Sequence, residues 1–299
     1  MSARFDLPDK PVIGIFWMLL AIVWFIGLDT LAKYLMQSHP LAQVVWARFF
    51  FHMVIIAIVL HRRLPVTATS RLPGFQVIRS CLMLATTTLF FTGLQFLPLA
   101  TATTLMFLSP IFVTVLAIPL LGEHVGMRRW VGVALGFAGA IIVVRPGVVD
   151  LEWSMLIVIA AALSHAFYQI LTRRVRTLDS PMTSLLYTGL VGAVIMSLVV
   201  PFHWHPVAGP EWALFLALGV AGCVGHLCFI RGFQRAPASL VAPFSYTSLV
   251  WATLFGYALF DDLPDRWTLA GASLIISAGL YIFHRERLAR NSNPIENKH

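Results

Sequence analysis

FFTGLQFLPLATATTLMFLSPIFVTVLAIPLLGEHVGMRRWVGVALGFAGAIIVVRPG, residues 90–147, holds the second half of one apolar run, a tight turn at Pro98, a second run broken at Ser109-Pro110, a charged corner at Glu123 and a Gly-rich third run. The same order returns between Phe229 and His284. Set 139 residues apart, Gly93 falls on Gly232, Pro98 on Pro237, Ser109 on Ser248, Glu123 on Asp262 and Gly132 on Gly271. One module is used twice, and the duplication governs the reading of the rest of the chain.

Of 299 residues, 59% are hydrophobic and 11% charged, with mean hydropathy +0.83. A water-soluble domain could not bury that much apolar surface, so the lipid bilayer is the first partner the sequence implies. The net charge of +8 does not point to nucleic acid, because the basic residues sit in short loops between apolar runs, where they report topology. Cys81, Cys223 and Cys228 lie inside apolar runs without CxxC spacing and read as packing thiols. The first apolar run follows a polar, acid-containing start with no small-residue cleavage site after it, and reads as a retained span.

A spanning helix needs about 20 mostly apolar residues. Ten segments qualify, near 12–34, 41–60, 75–97, 100–121, 129–145, 151–172, 182–202, 211–233, 238–260 and 267–284. The expected fold is an all-α membrane protein of ten transmembrane helices. Residues 1–11 form a cytoplasmic N-terminus, 12–147 a first repeat of five spans, 148–284 a second, and 285–299 a polar, disordered cytoplasmic tail. With the N-terminus inside, 15 of the 21 Lys and Arg fall on the inner side and 2, Arg145 and Arg266, on the outer, so both termini are expected in the cytoplasm.

Five spans is an odd number, so two consecutive repeats must be inverted. Basic residues follow the membrane side and not the repeat: Arg128 and Arg129 follow the Glu123 corner, whereas Trp267 and Thr268 hold those places after Asp262. An inverted five-plus-five repeat is a transporter architecture that alternates access to a site near the midplane.

The PLA-x-A turn, the mid-helix Ser-Pro, LGE, the Gly-rich fifth span and the closing RPG (Pro98 to Gly147) resemble the EamA-type repeat of the drug/metabolite transporter superfamily. The resemblance covers nearly the whole chain in two copies, the second departing at Asp261-Asp262, where Gly-Glu is usual. It implies a ten-helix fold with a central cavity and a small-molecule substrate, within a superfamily that moves amino acids, opines, riboflavin, S-adenosylmethionine, purines or nucleotide sugars. DTLAKYL (Asp29 to Leu35) and VWARFF (Val45 to Phe50) are similar to a bacterial subgroup that includes riboflavin importers and exporters of opines or amino acids. The resemblance implies a secondary transporter in a bacterial inner membrane, an exporter of amino acids or opine-like compounds, with a riboflavin or other cofactor importer as the alternative.

Candidate pathway residues begin with charge inside the membrane, which is expensive and rarely idle. Asp29 is the only acidic residue well inside a span, and Lys33 follows on the same helical face. Arg48, with His52 one turn on, should reach similar depth from the second span. A structural ion pair of Asp29 with Arg48 or Lys33 is one reading. A gate, a contact to a substrate carboxylate and a coupling proton are the others. Arg79 and Arg231 read as side chains snorkelling from the inner ends of their spans.

Ser109-Pro110 and Pro243, the latter followed by Ser245 and Tyr246, interrupt two pseudo-equivalent spans, and such breaks are tolerated only against protein or a wet cavity. His165, Tyr168 and Gln169 share one face of the sixth span, with Trp24 near the matching face of the first. A pathway of aromatics with few polar groups suits a flat or amphipathic solute. The glycines of the fifth and tenth spans suit close packing against a helix of the same chain or of a second protomer, so a homodimer is an open expectation. His203 and His205 offer two ligands without a third, and neither a metal nor a cofactor is expected. The chain has no GxxxxGK[ST] loop for ATP and no HExxH or nucleophile–base set for an intramembrane enzyme, so no enzymatic activity is expected.

Overall fold

The computed structural model describes residues 11–121, 127–145, 153–175, 178–236 and 241–292. The Glu123 corner, Pro237 and Gly147 lie outside them. All regular structure among the described residues is helical. The first repeat supplies α1 (Pro11–Leu35), α2 (Leu41–Leu60), the short α3 (Leu64–Ala68), α4 (Pro73–Leu94), α5 (Leu99–Met106), α6 (Leu108–Leu121) and α7 (Met127–Val144). The second supplies α8 (Trp153–Val175), α9 (Pro181–Val199), α10 (Glu211–Arg235), α11 (Ser248–Phe260) and α12 (Arg266–Ser292).

Seven stretches among the described residues are helices long and apolar enough to cross a membrane, against the ten segments expected. The other three segments are shortened for local reasons. The ninth is divided by a 3-10 stretch, Ala242–Thr247, around Pro243, which leaves 13 residues of α11. In the fifth and tenth the apolar parts, Trp130–Val144 and Arg266–Ile282, are shorter than the helices that contain them. Helix α12 also runs past Arg285 to Ser292, through residues assigned above to a disordered tail.

The two repeats pack as an exchange-symmetric pair. Helix α1 lies along α10, and its counterpart α8 lies along α4; α2 packs on its own counterpart α9, and α7 on α12. Contacts across the α7–α12 seam fix the relative direction. Gly132 meets Ile282, Gly136 meets Ala278, Gly139 meets Ile275 and Gly271 meets Val143. Residue numbers rise on one helix as they fall on the other, so the two run antiparallel. Helices α2 and α9 do the same, with Phe49 against Gly192 and His52 against Gly189. Equivalent helices in opposite senses are what an inverted repeat requires.

The seam needs glycine because the backbones touch. A methyl on Gly139 would lie 2.8 Å from the Gly271 carbonyl oxygen and 2.7 Å from Ile275 Cγ1. Gly139→Ala should therefore lower stability by about 1–3 kcal/mol. Gly27→Ala, with nothing within 4 Å of the added methyl, should instead gain about 1 kcal/mol of helix propensity. Thermal unfolding in detergent reads both, and equal shifts for the two variants would remove the case for a close-packed seam.

Charged caps clamp the end of that seam. Asp265 accepts from the backbone N–H of Thr268 at 2.7 Å, at the start of α12, and pairs with Arg145, just past α7, at 2.8 Å. Partial burial pushes the Asp265 carboxyl up, but the Thr268 hydrogen bonds and the Arg145 charge outweigh it and hold the group below its ordinary range.

Candidate functional site

The two mid-span breaks meet. Helix α5 stops at Phe107 and α6 starts one residue later, so the backbone break precedes Pro110 by a turn. The ring of Phe107 packs edge-on against Tyr246, in the 3-10 stretch before α11, at 5.1 Å between centroids. These two residues are 139 apart, so they are each other's repeat equivalents and mark the pseudo-twofold axis. A methyl on Gly279 of α12 would collide with the Tyr246 hydroxyl, so the glycine makes room for the ring. Ser109 is buried whereas Ser245 is exposed, so the two serines named from sequence sit in unlike environments.

Ser109 joins the face of α8 that carries His165, Tyr168 and Gln169. Its Oγ lies 3.1 Å from His165 Nδ1, and Gln169 Nε2 donates to Ser109 Oγ at 3.1 Å. Gln169 Nε2 is also 3.2 Å from His165 Nδ1, which favours the tautomer with Nδ1 as acceptor. The Tyr168 ring stacks on His165 at 5.6 Å and 12° between planes, and the Arg79 guanidinium lies 5.0 Å from the Tyr168 centroid. The result is a flat aromatic surface backed by a cation.

On the other side of the centre, Arg48 Nη1 donates to Thr87 Oγ1 at 2.7 Å, and the guanidinium lies 5.4 Å from both the Phe49 and Phe91 rings. His52 packs edge-on against His226 at 5.8 Å, and His226 in turn against Phe25 at 4.9 Å. His226 Nδ1 is 2.8 Å from the Gly222 carbonyl oxygen, so it is the donor there, whereas His52 Nε2 is buried without a partner. Arg48, Phe49, His52, Met83, Thr188, Gly222 and His226 enclose a cavity of about 10 Å³. That is room for about one water molecule, so the centre is closed in this conformation.

Phe25 and His52 both pack on His226, so Asp29, one helical turn further along α1, and Arg48, one turn back along α2, reach the same level of the centre. Yet neither ion pair considered for Asp29 is present among the described residues. Lys33 is committed elsewhere: its Nζ donates to Asp262 and to the Leu97 carbonyl oxygen, both at 2.8 Å, and sits 5.0 Å from the Phe260 ring. Asp261 makes this reachable. It adopts φ 57°, where Asp is tolerated, and ends α11 so that Asp262 turns back toward α1. The pair lines a solvent-open basin of about 790 Å³ with Gln37, Tyr257 and Phe260, on the face expected outside.

Arg79 is the largest correction. Far from snorkelling, it is 1% exposed and heads the fully buried side chains. It donates to the Ser184 carbonyl oxygen, to Thr188 Oγ1 at 2.8 Å and to Gln76 Oε1 at 3.2 Å. Gln76 donates onward to Asp179 at 2.9 Å, and Asp179 accepts from the Ser70 hydroxyl at 2.5 Å and the Arg71 N–H at 2.9 Å. Burial raises the Asp179 carboxyl, but those hydrogen bonds together with the Arg71 charge hold it below its ordinary range. This chain of bonds links the centre to the face expected inside and joins the repeats. Its sequence signal was only an arginine inside a span. Trp24 is exposed and takes no part in the ring contacts among the described residues. No group of three metal-ligating side chains occurs among the described residues, and the three cysteines are free.

Comparison with known proteins adds the following. The profile of the EamA-like transporter family matches residues 12–145 and again 152–283. An S-adenosylmethionine uptake transporter of Rickettsia felis is 32% identical over 277 residues, covering 92% of this chain and 94% of its own length. A riboflavin transporter of Rhizobium johnstonii is 27% identical, covering 96% of each. A pseudopaline exporter of Pseudomonas aeruginosa is 26% identical, covering 89% of this chain and 94% of its own. One solved crystal structure superposes with a TM-score of 0.65 over 93% of this chain and 99% of the other, at 18% identity. At that identity the likeness speaks for the fold.

Proposed function

This chain belongs to the EamA-like transporter family, and from that premise we propose that it carries an S-adenosylmethionine-type metabolite across a bacterial inner membrane by alternating access. Ten spans, with both termini in the cytoplasm, complete the proposed topology. The observation that carries the substrate class is the full-length similarity to the Rickettsia uptake transporter. Two features of the centre agree with it. The stacked His165–Tyr168 surface suits a flat heteroaromatic ring, and the charges of Asp29 and Arg48 suit a solute that is both polar and charged. Uptake driven by the solute gradient or by protons is the proposed direction.

Opine-type export is the second reading, favoured by the pseudopaline exporter and by the same charges. Proteoliposomes separate the two and test both. Labelled S-adenosylmethionine should exchange saturably against unlabelled solute, with riboflavin a poor competitor. Competition by an opine and not by S-adenosylmethionine would transfer the assignment to the second reading. No exchange of any of the three would sink both substrate readings.

A further inference from the structure

We propose that Asp29 and Arg48 form a two-armed receptor for the amino-acid end of a zwitterionic solute, Asp29 taking the ammonium and Arg48, with His52, the carboxylate; the proposal rests on the transport reading above. The argument begins with how ion pairs behave elsewhere in this molecule. Lys33–Asp262 and Arg145–Asp265 each close to 2.8 Å. Phe25 and His52 both pack on His226, so Asp29, one turn on along α1, and Arg48, one turn back along α2, reach the same level of the centre; yet no ion pair joins them, and Asp29 makes no hydrogen bond among the described residues. A scaffold pair would have closed, because two half-buried charges held apart keep part of their desolvation cost and forgo most of their attraction.

The donors of Arg48 are equally uncommitted. A guanidinium carries five N–H groups, and Arg48 spends one, on Thr87 at 2.7 Å. Phe49 and Phe91 flank it and hold its plane. His52, 6% exposed, lines the same small cavity as Arg48 and has Nε2 without a partner. The surrounding charge selects the ligand. Arg79 is taken up by Ser184, Thr188, Gln76 and the Tyr168 face. A simple anion at Arg48 would be repelled by Asp29, and a simple cation at Asp29 would be repelled by Arg48. A zwitterion meets both with opposite charge, and a carboxylate matches the planar fork of arginine. The cavity must widen to admit it, as alternating access requires.

Binding to the purified full-length protein in nanodiscs tests this, with S-adenosylmethionine, its decarboxylated analogue, methylthioadenosine, free α-amino acids and riboflavin as probes. S-adenosylmethionine should bind at least about tenfold more tightly than the decarboxylated analogue, and methylthioadenosine more weakly again. Arg48→Lys keeps the charge but loses the fork, and should weaken S-adenosylmethionine about ten- to a hundredfold while leaving the decarboxylated analogue unchanged. Asp29→Asn should weaken both ammonium-bearing probes and not methylthioadenosine. Unchanged melting temperature and size-exclusion profile certify each variant as folded, and His52→Gln gives a third, milder reading should either charge variant fail to fold.

Methylthioadenosine binding as tightly as S-adenosylmethionine would overturn the proposal. Wild-type-like affinity in both charge variants, or no binding of any zwitterion, would also overturn it. Riboflavin transport without zwitterion binding would overturn it and leave the transporter reading standing. Zwitterion binding without transport would do the reverse.

Discussion

Arg79→Ala should cost about 3–5 kcal/mol, a large share of the roughly 5–15 kcal/mol that holds most folded proteins together. The expectation follows from what the side chain leaves behind. Arg79 occupies a fully buried volume between α4 and α9, so truncation opens a cavity. It also strips the charged donor from Thr188 Oγ1 and Gln76 Oε1 and one donor from the Ser184 carbonyl oxygen. Thr188 still donates to Ser184 O at 2.9 Å, so that carbonyl is not orphaned, but Gln76 Oε1 is. Arg79→Lys should recover only part of the loss, since an ammonium cannot reach three acceptors with one rigid fork. Unfolding midpoints in detergent, with expression yield alongside, measure this. A loss below about 1 kcal/mol for the alanine variant would mean that Arg79 is bystander packing.

Lys33→Met should open the face expected outside. Lys33 ties α1 of the first repeat to the Leu97 carbonyl oxygen in the α4–α5 turn and to Asp262, between α11 and α12 of the second. Its side chain is 12% exposed and that of Asp262 31%, so solvent screens the pair on one side only. A charge-assisted hydrogen bond contributes about 1.5–3 kcal/mol when buried, and less here. A shift of about tenfold toward an open outer mouth is the expected size. With the native cysteines replaced, a cysteine at Met83, which lines the central cavity, reports it through an impermeant thiol reagent added outside. Labelling should quicken about tenfold in Lys33→Met and fall back toward the parent when Lys33→Asp is combined with Asp262→Lys. An unchanged rate in Lys33→Met would show that the pair does not hold the face shut.

What was legible in the sequence was what periodicity carries. The 139-residue offset that put Gly132 on Gly271 is also the offset that relates the contacts of the α7–α12 seam, and Phe107 to Tyr246. His165, Tyr168 and Gln169 fall on one face because one helix sets their spacing, and Ser109 was already marked by its proline. Partners in distant helices were not legible. Asp262 lies 229 positions from Lys33, and nothing local to either announces the other. Arg79 sits near a span end, where a free arginine would snorkel; only the packing of α9 against α4 decides that it is covered instead. Trp24 stands apart from the ring contacts for a related reason, since an evenly apolar helix does not declare which aromatic faces inward.

The glycine seam also bears on how the protein is made. Helix α7 finishes the first repeat but packs its glycines on α12, the last helix of the second. At roughly 5–20 residues per second, α7 waits on the order of ten seconds or more for that partner to be synthesised. During that interval its grooved face must be lodged against lipid or held by the insertion machinery. A chain lacking α12 would leave this groove unmatched, so the first repeat stays unfinished until the second supplies its partner.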